Sequence, residues 1–152
     1  PGARTASGGI RQTVINLIQI GQYQEALREL KAAFPDPAQS GDMGIYYGSL
    51  MIQVEAQTIL GRRLLSQVIQ SKRPEVKQAY VGLGIADMID GQLDAAEGNF
   101  DKSLAQDADY VPALINLSSV KLQKGDYPQA KALAQKALRF SPFSGEALLN
   151  LV

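Results

Sequence analysis

The residues of this sequence that come closest to a chemical site are three aspartates, Asp87, Asp90 and Asp94, which surround Gly91. A cluster of carboxylates could bind a hard cation. The chain has no histidine and no cysteine, so the commonest general bases, nucleophiles and transition-metal ligands are missing. Asp94 also fits the first turn of a helix, where the helix dipole favours a negative charge. We interpret the cluster as a solvated turn and expect no enzymatic activity, no metal site and no cofactor.

Basic residues form a second concentration of charge, in the pairs Arg62-Arg63 and Lys72-Arg73 with Lys77 nearby. Such a cluster could meet an acidic partner or a phospholipid surface, but we interpret it as exposed solubilising charge. Lysine plus arginine and aspartate plus glutamate both number 15, so the net charge is zero. A phosphate-binding surface needs a basic excess, which argues against nucleic acid as a partner. No apolar run approaches the roughly 18 residues of a membrane span.

An internal repeat of the sequence indicates which secondary-structure elements would position these residues. Similar residues recur every 34 positions, in the rows Ala79, Ala113, Ala147 and Leu83, Leu117, Leu151. A fixed period of this length predicts stacked copies of one supersecondary unit. Proteins built in this way usually bind a partner along their surface.

Each repeat is predicted to contain two helices. Apolar residues between 75 and 89 follow a helical period, and Gly91 can end that helix in the left-handed conformation. In the next repeat Pro112 and Pro128 suit the first turns of two helices, with Gly125 between them. The predicted helices cover residues 9–20, 23–34, 42–58, 61–72, 75–90, 93–106, 111–124, 127–140 and 144–151.

These positions resemble the motif of the tetratricopeptide repeat family, W-x2-L-G-x2-Y, then G-x4-A-x3-F, then A-x4-P. The third repeat matches it at Tyr80, Leu83, Gly84, Gly91, Ala96, Phe100 and Ser103. The fourth matches at Leu114, Leu117, Ser118, Gly125, Ala130, Ala134, Ala137 and Pro142. The resemblance implies an all-α fold, a right-handed α-solenoid of antiparallel helix pairs. It also implies a scaffold for protein–protein interaction rather than an enzyme.

The predicted domain covers residues 9–152, with repeats at 9–40, 41–76, 77–110 and 111–144. The second repeat is degenerate, since Glu55 falls at the turn glycine and Leu60 at the alanine, and a two-residue insertion lies in or beside it. Residues 1–8 are small and polar and are interpreted as a linker or the edge of an expressed fragment. Residues 145–152 are interpreted as a truncated fifth repeat or a capping helix, which suggests a piece of a longer protein.

The resemblance implies a groove lined by the first helix of each repeat. The corresponding residues are largely aliphatic, edged with glutamine, and this is typical of an interaction site. They are Arg11, Ile15, Ile18, Ile45, Ser49, Ile52, Gln53, Gln78, Val81, Ile85, Met88, Ile89, Ile115, Ser119, Leu122 and Gln123. A capping helix or a second copy of the chain could also cover this face.

Family members that grip the acidic C-terminus of chaperones use a clamp of lysine, arginine and asparagine. Here the matching positions hold Arg11, Ile15, Gln78 and Gly82, so chaperone tails are not the expected ligand. We expect instead an apolar segment of another protein, extended or helical. The alternative is homo-oligomerisation through the same face. Glutamine-rich, cysteine-free arrays resemble bacterial assembly factors for pili, secretion and exopolysaccharide export, which favours the cell envelope as the compartment.

Overall fold

The structure, a computed structural model, describes residues 2–142 and residue 150, with side chains from residue 8 onward in that range. Over this part of the chain it contains eight α-helices, two short 3-10 turns and no strand. The helices are α1 Gly2–Gln19, α2 Tyr23–Ala33, α3 Gly44–Glu55, α4 Thr58–Gln70, α5 Val76–Ile89, α6 Leu93–Gln106, α7 Val111–Gln123 and α8 Tyr127–Phe140. The predicted all-α fold is confirmed. None of the described helices is long and apolar enough to cross a membrane.

The helices pack in sequence order into a right-handed solenoid of antiparallel pairs. Each helix contacts the next one along the chain, and in addition α3 contacts α5 and α5 contacts α7. The odd-numbered helices therefore form one layer and the even-numbered helices support it from the other side. Apolar clusters fill the spaces between neighbouring pairs, so each pair depends on its neighbour for part of its core.

A left-handed residue ends each odd-numbered helix. Gly91 and Gly125 have φ angles of +75° and +80°, as the sequence predicts, and Gly21 has +78°. The next N–H, that of Gln92, donates to the carbonyl of Asp87 at 2.7 Å. This bond satisfies a carbonyl that has no partner within the helix and reverses the chain into the following helix.

In the second repeat the register predicted from the sequence is wrong by one residue. The left-handed turn residue is Ala56, with φ +54°, not Glu55. The small residue that faces the preceding helix is Gly61, not Leu60, because a Cβ on Gly61 would lie 2.4 Å from Cγ1 of Ile52. Ala56 follows Gly21 by 35 residues and precedes Gly91 by another 35, so one extra residue lies on each side of the turn.

The left-handed Ala56 ends α3, so α3 ends and α4 begins three residues earlier than the predicted helix bounds. The helix predicted over 42–58 ends at Glu55, and the one predicted from 61 begins at Thr58. At the start of the chain, α1 begins at Gly2, so residues 2–8 are helical rather than an extended linker. Ala3 and Ala6 favour helix, and no proline interrupts the run that leads into residue 9. The helix predicted over 144–151 lies outside the described residues, apart from residue 150.

Small residues at equivalent positions allow the two helices of each pair to approach closely. Ala26, Ala96 and Ala130 are fully buried at the position that Gly61 holds in the second repeat. A Cβ on Gly84 would lie 2.3 Å from Cε1 of Phe100, so the aromatic ring lies directly against the glycine backbone. These residues have structural roles, and any binding surface has to come from the other faces.

Candidate binding groove

A groove of about 770 Å3 runs along the layer of odd-numbered helices. α3 and α5 form most of its surface, with contributions from α1, the start of α2 and the start of α7. Its lining consists of Ile18, Tyr23, Ile45, Tyr46, Ser49, Leu50, Gln53, Gln78, Val81, Gly82, Ile85, Met88, Ile89, Tyr110, Pro112 and Asn116. We call this surface the groove.

The chemical character of the groove is uniform. Among its described lining residues there are aliphatic side chains, three tyrosines and three carboxamides, but no acidic and no basic side chain. One residue in five of the whole chain is charged, so this surface differs from the rest of the molecule. A segment bound here would exchange water for apolar contact and would find no counter-ion.

α5 forms the floor of the groove because one of its faces carries residues at helical spacing, from Gln78 to Ile89. A Cβ on Gly82 would lie 2.4 Å from Cδ1 of Leu65, so a larger residue here would displace the end of that side chain. Val81 is only 7% exposed and belongs to the core between the third and fourth repeats, whereas Ile89 is 45% exposed. The groove therefore has a structural floor and an accessible edge.

Cations lie near two of the three tyrosines that line the groove. The guanidinium carbon of Arg11 lies 5.8 Å from the ring centre of Tyr46, and the ammonium of Lys77 lies 4.8 Å from that of Tyr110. Lys77 also forms an ion pair of 2.9 Å with Asp107. Burial, with a smaller contribution from the Asp107 carboxylate, raises the pKa of Tyr110. Each of these two rings thus has a neighbouring cation that is not part of the groove lining.

Nine of the sixteen predicted residues lie in the groove lining. They are Ile18, Ile45, Ser49, Gln53, Gln78, Val81, Ile85, Met88 and Ile89. The other predicted residues are Arg11, Ile15, Ile52, Ile115, Ser119, Leu122 and Gln123, and they lie outside it.

Ile52 is the clearest departure from the prediction. It is fully buried among Leu65, Val68 and the neighbouring helix, because the one-residue shift in the second repeat rotates it away from the groove. Ile115 is buried as well, and its carbonyl accepts from Nδ2 of Asn150 at 3.3 Å. The same amide group donates to Oγ of Ser119 at 3.0 Å. Part of the predicted surface on α7 is therefore contacted by a residue near the end of this chain.

Sequence reasoning missed seven lining residues, namely Tyr23, Tyr46, Leu50, Gly82, Tyr110, Pro112 and Asn116. Tyr46 and Leu50 would have been predicted as groove residues if Ala56 had been taken as the turn residue of the second repeat. Tyr23 and Tyr110 belong to a helix start and a connection, which a rule based on the first helix of each repeat does not include. No single-sequence signal marks these two residues.

The aspartates Asp87, Asp90 and Asp94 form ion pairs with two different basic residues. Asp87 and Asp90 both pair with Arg62 of α4, at 2.7 and 2.9 Å. Asp94 pairs at 2.6 Å with Lys124, which directly follows α7. Among the described residues no group of three or more histidine, cysteine or acidic side chains is arranged to hold a metal ion. The aspartates join adjacent repeats.

The basic cluster is also partly used within the fold. Arg62 is paired with the two aspartates, and Arg73 pairs with Asp42 at 2.9 Å. In the described part of the chain only Arg63 and Lys72 of this cluster form no ion pair. An acidic partner would therefore find a weaker positive surface here than the sequence indicates.

The fold defines a class of proteins, the α-solenoids of stacked helical hairpins. Residues 87–152 match the tetratricopeptide repeat family. A thermophilic tetratricopeptide protein of Thermus thermophilus has a TM-score of 0.78 at 15% identity, covering 95% of this chain and 79% of that chain. With these matches the resemblance is confirmed: residues 87–152 match the family, and the described chain shares the fold of solved tetratricopeptide repeat proteins.

Two further solved structures share the fold. YrrB, a tetratricopeptide protein with an unusual peptide-binding site, has a TM-score of 0.64 at 20% identity, covering 96% of this chain and 74% of that one. A fragment of MamA from Desulfovibrio magneticus RS-1 has a TM-score of 0.65 at 20% identity, covering 91% and 77%. No curated protein matches the sequence.

Proposed function

We propose that this chain is a scaffold that holds an apolar or amphipathic segment of another protein in the groove. Tetratricopeptide folds serve in general as scaffolds for protein–protein interaction, and we expect no catalytic activity. The observation that carries the proposal is the groove itself, about 770 Å3 in volume and lined by uncharged side chains. YrrB, which shares the fold, is known for a peptide-binding site, and this also supports the proposal.

The energetic reason is apolar surface that the repeats leave exposed. Tyr23 is 47% and Ile89 is 45% exposed, and neither belongs to a core cluster. Burial of such surface contributes about 25 cal/mol per Å2, before the entropy of association is subtracted. Met88 adds a flexible contact that can adapt to side chains of different shape.

The same argument applies to a second copy of this chain, which is the alternative function. An apolar face that is self-complementary can form a symmetric dimer. Light scattering of the purified chain over a range of concentrations separates the two, because self-association increases the mass with concentration. The setting that we propose for the scaffold is an assembly of a bacterial pilus, secretion system or exopolysaccharide exporter, by analogy of composition.

The experiment that tests the groove uses the double variant Tyr23→Asp with Ile89→Asp. Val81 and Ile85 pack into the core, so aspartate there would test folding instead of binding. The matched control is Tyr127→Asp with Ile59→Asp, at side chains that are 67% and 80% exposed and lie outside the groove. Tyr127 begins α8 as Tyr23 begins α2, which makes the two tyrosine changes equivalent locally.

Both variants are expected to keep the helical circular dichroism spectrum. In a pull-down from the native host, the groove variant should lose the partners that the wild-type chain and the control variant retain. Retention of all partners by the groove variant would show that binding occurs elsewhere. If the groove variant loses the increase of mass with concentration but keeps its pull-down partners, the alternative function, homo-oligomerisation, is correct.

A further inference from the structure

A second cleft lies at the junction between the second and third repeats. It has a volume of about 470 Å3 and is formed by the ends of α4 and α6, the start of α5 and the connection between α4 and α5. It shares no lining residue with the groove. Sites for small molecules commonly have a volume of this order. We call it the basic cleft, and its lining consists of Ile69, Lys72, Arg73, Pro74, Val76, Lys77, Tyr80 and Gln106.

The charges that line the basic cleft are all positive. Three of its eight lining residues are cations and none is acidic. Glu75, which lies between two lining residues in the sequence, is not part of the lining, and its Oε2 atom is buried. Of the three connections between repeats, at residues 34–43, 71–75 and 107–110, only the second contains basic residues. The basic excess is therefore a property of this junction, in a chain whose net charge is zero.

Two cations at the basic cleft have no carboxylate partner among the described residues. Lys72 lines the cleft and forms no ion pair there. The ammonium of Lys102 lies 5.8 Å from the ring centre of Tyr80, a lining residue, and it forms no ion pair in this part of the chain either. An anion in the cleft would supply a counter-ion that both lysines lack.

The other two cations are paired with aspartates that do not line the cleft. Arg73 pairs with Asp42 at 2.9 Å, and Lys77 pairs with Asp107 at 2.9 Å. The side chain of Asp42 is 79% exposed, and exposed ion pairs contribute little to stability. A bound anion can therefore take the place of Asp42 beside Arg73 at little cost to the fold.

Lys72 holds its position in a backbone conformation that is unfavourable for lysine. Its φ angle is +52°, in the left-handed region, where a Cβ comes too close to the following carbonyl oxygen. Glycine adopts this conformation freely, as Gly91 and Gly125 do in this chain. Strained residues cluster at functional sites, so the retention of a cation here supports a role for its charge.

The donors of the basic cleft suit a phosphate group. The planar guanidinium of Arg73 can bind two phosphate oxygens at once, and the lysines add charge-assisted hydrogen bonds. Ile69 and Val76 supply an apolar part of the lining, against which the carbon skeleton of a ligand can pack. Recognition of an anionic membrane usually takes a cluster of roughly four to eight basic residues, more than line this cleft.

We propose that the basic cleft binds a small molecule that carries a phosphate ester and a short apolar group, with Lys72, Arg73 and Lys77 as the counter-ions of the phosphate. This site is separate from the groove, and its ligand does not depend on the partner that the groove holds.

The probes are phenyl phosphate, inorganic phosphate and benzoate, added to the complete chain at constant ionic strength and followed by NMR shifts of the backbone amides. Phenyl phosphate should shift amides of residues 69–80 and Gln106. It should bind about 10-fold more tightly than inorganic phosphate, because its ring buries apolar surface. It should also bind about 10-fold more tightly than benzoate, because a phosphate offers more charge and more acceptor oxygens.

The variants are Lys72→Gln and Lys72→Gly, and each should bind phenyl phosphate about 10-fold more weakly. Lys72→Gly should at the same time raise the Tm of the unliganded chain by about 2–4 °C, because glycine adopts the left-handed conformation without steric cost. Affinity and stability then change in opposite directions at one residue. The matched control is Lys131→Gln, at an exposed lysine of α8, which should change neither quantity.

The proposal is wrong if phenyl phosphate shifts no amide around the basic cleft, or if both Lys72 variants bind it as tightly as the wild type. Tighter binding of benzoate would identify a carboxylate site instead. Vesicles of phosphatidylcholine with phosphatidic acid test the membrane: a chain that sediments with them but does not bind phenyl phosphate overturns the proposal. The variant Tyr23→Asp with Ile89→Asp should bind phenyl phosphate as the wild type does, so this proposal and the proposed function can fail separately.

Discussion

Arg62 of α4 and Asp87 of α5 form an ion pair of 2.7 Å across the junction between the second and third repeats. One repeat further along, the same two positions hold Glu97 of α6 and Lys121 of α7, which are also paired but with the signs reversed. Each of these two junctions thus carries an ion pair between the second helix of one repeat and the first helix of the next.

The first prediction concerns this junction. Arg62→Met should reduce the free energy of unfolding by about 2–3 kcal/mol, because it leaves the buried carboxylate of Asp87 without its cation. Adding Asp87→Asn should recover part of the loss, since the buried charge is then removed. The control is Arg63→Met, at an exposed neighbour, with an effect within about 0.5 kcal/mol. Urea denaturation measures all three, and equal effects of the two single changes would show that the pair contributes nothing.

The second prediction concerns the turn of the second repeat. Ala56→Gly should stabilise the protein by about 0.5–1 kcal/mol, because Ala56 has φ +54° and glycine adopts this conformation without steric cost. The reverse change at an equivalent turn, Gly91→Ala, should destabilise it by about 1 kcal/mol. Thermal melts should therefore shift in opposite directions. A lower Tm for Ala56→Gly would indicate that the turn is not left-handed in solution.

The third prediction separates packing from helix propensity. Gly84→Ala should destabilise by about 1–2 kcal/mol, because the new Cβ would lie 2.3 Å from the ring of Phe100. Gly98→Ala, on α6, should stabilise by about 0.5–1 kcal/mol, since nothing lies within 4 Å of its new Cβ and alanine favours helix. If both changes stabilise the protein in denaturant titrations, the contact between Gly84 and Phe100 is misplaced.

The fourth prediction concerns acid stability. Hydrogen bonds from Lys121 and then Lys124 lower the pKa of Glu97 below its ordinary value of 4.5. The unfolded chain therefore binds the proton more readily, and the stability that Glu97 contributes is present above pH 4.5 and lost as the pH falls through its folded pKa. Glu97→Gln should flatten this dependence between about pH 5 and pH 3. A Glu97→Gln variant that keeps the slope of the wild type over this pH range would contradict the prediction.

Most of the fold could be predicted from the sequence, because residues close together in the chain determine where each helix of a repeat begins and ends. The glycines at 91 and 125 end their helices in the left-handed conformation, and α5 to α8 begin and end within one residue of the predicted bounds. Proline, glycine and helical periodicity act over a few residues, so one sequence is enough to place them. The second repeat lacks a turn glycine, and there the prediction is wrong by one residue.

The residues of the groove were predictable only in part. Which side chains of a helix face the groove depends on the register of the repeat, and not only on where the helix lies in the sequence. A shift of one residue rotates a side chain by about 100°, which takes Ile52 from the predicted groove into the core. The sequence alone determined the period, the helix pairs and a largely aliphatic face, edged with glutamine, on the first helix of each repeat. The tertiary structure decided which of these side chains remain accessible, that Arg62 is held by Asp87 and Asp90, and that Oε1 of Gln78 lies buried beside the groove. Accessibility and pairing arise between helices that are distant in the chain, so no local pattern encodes them.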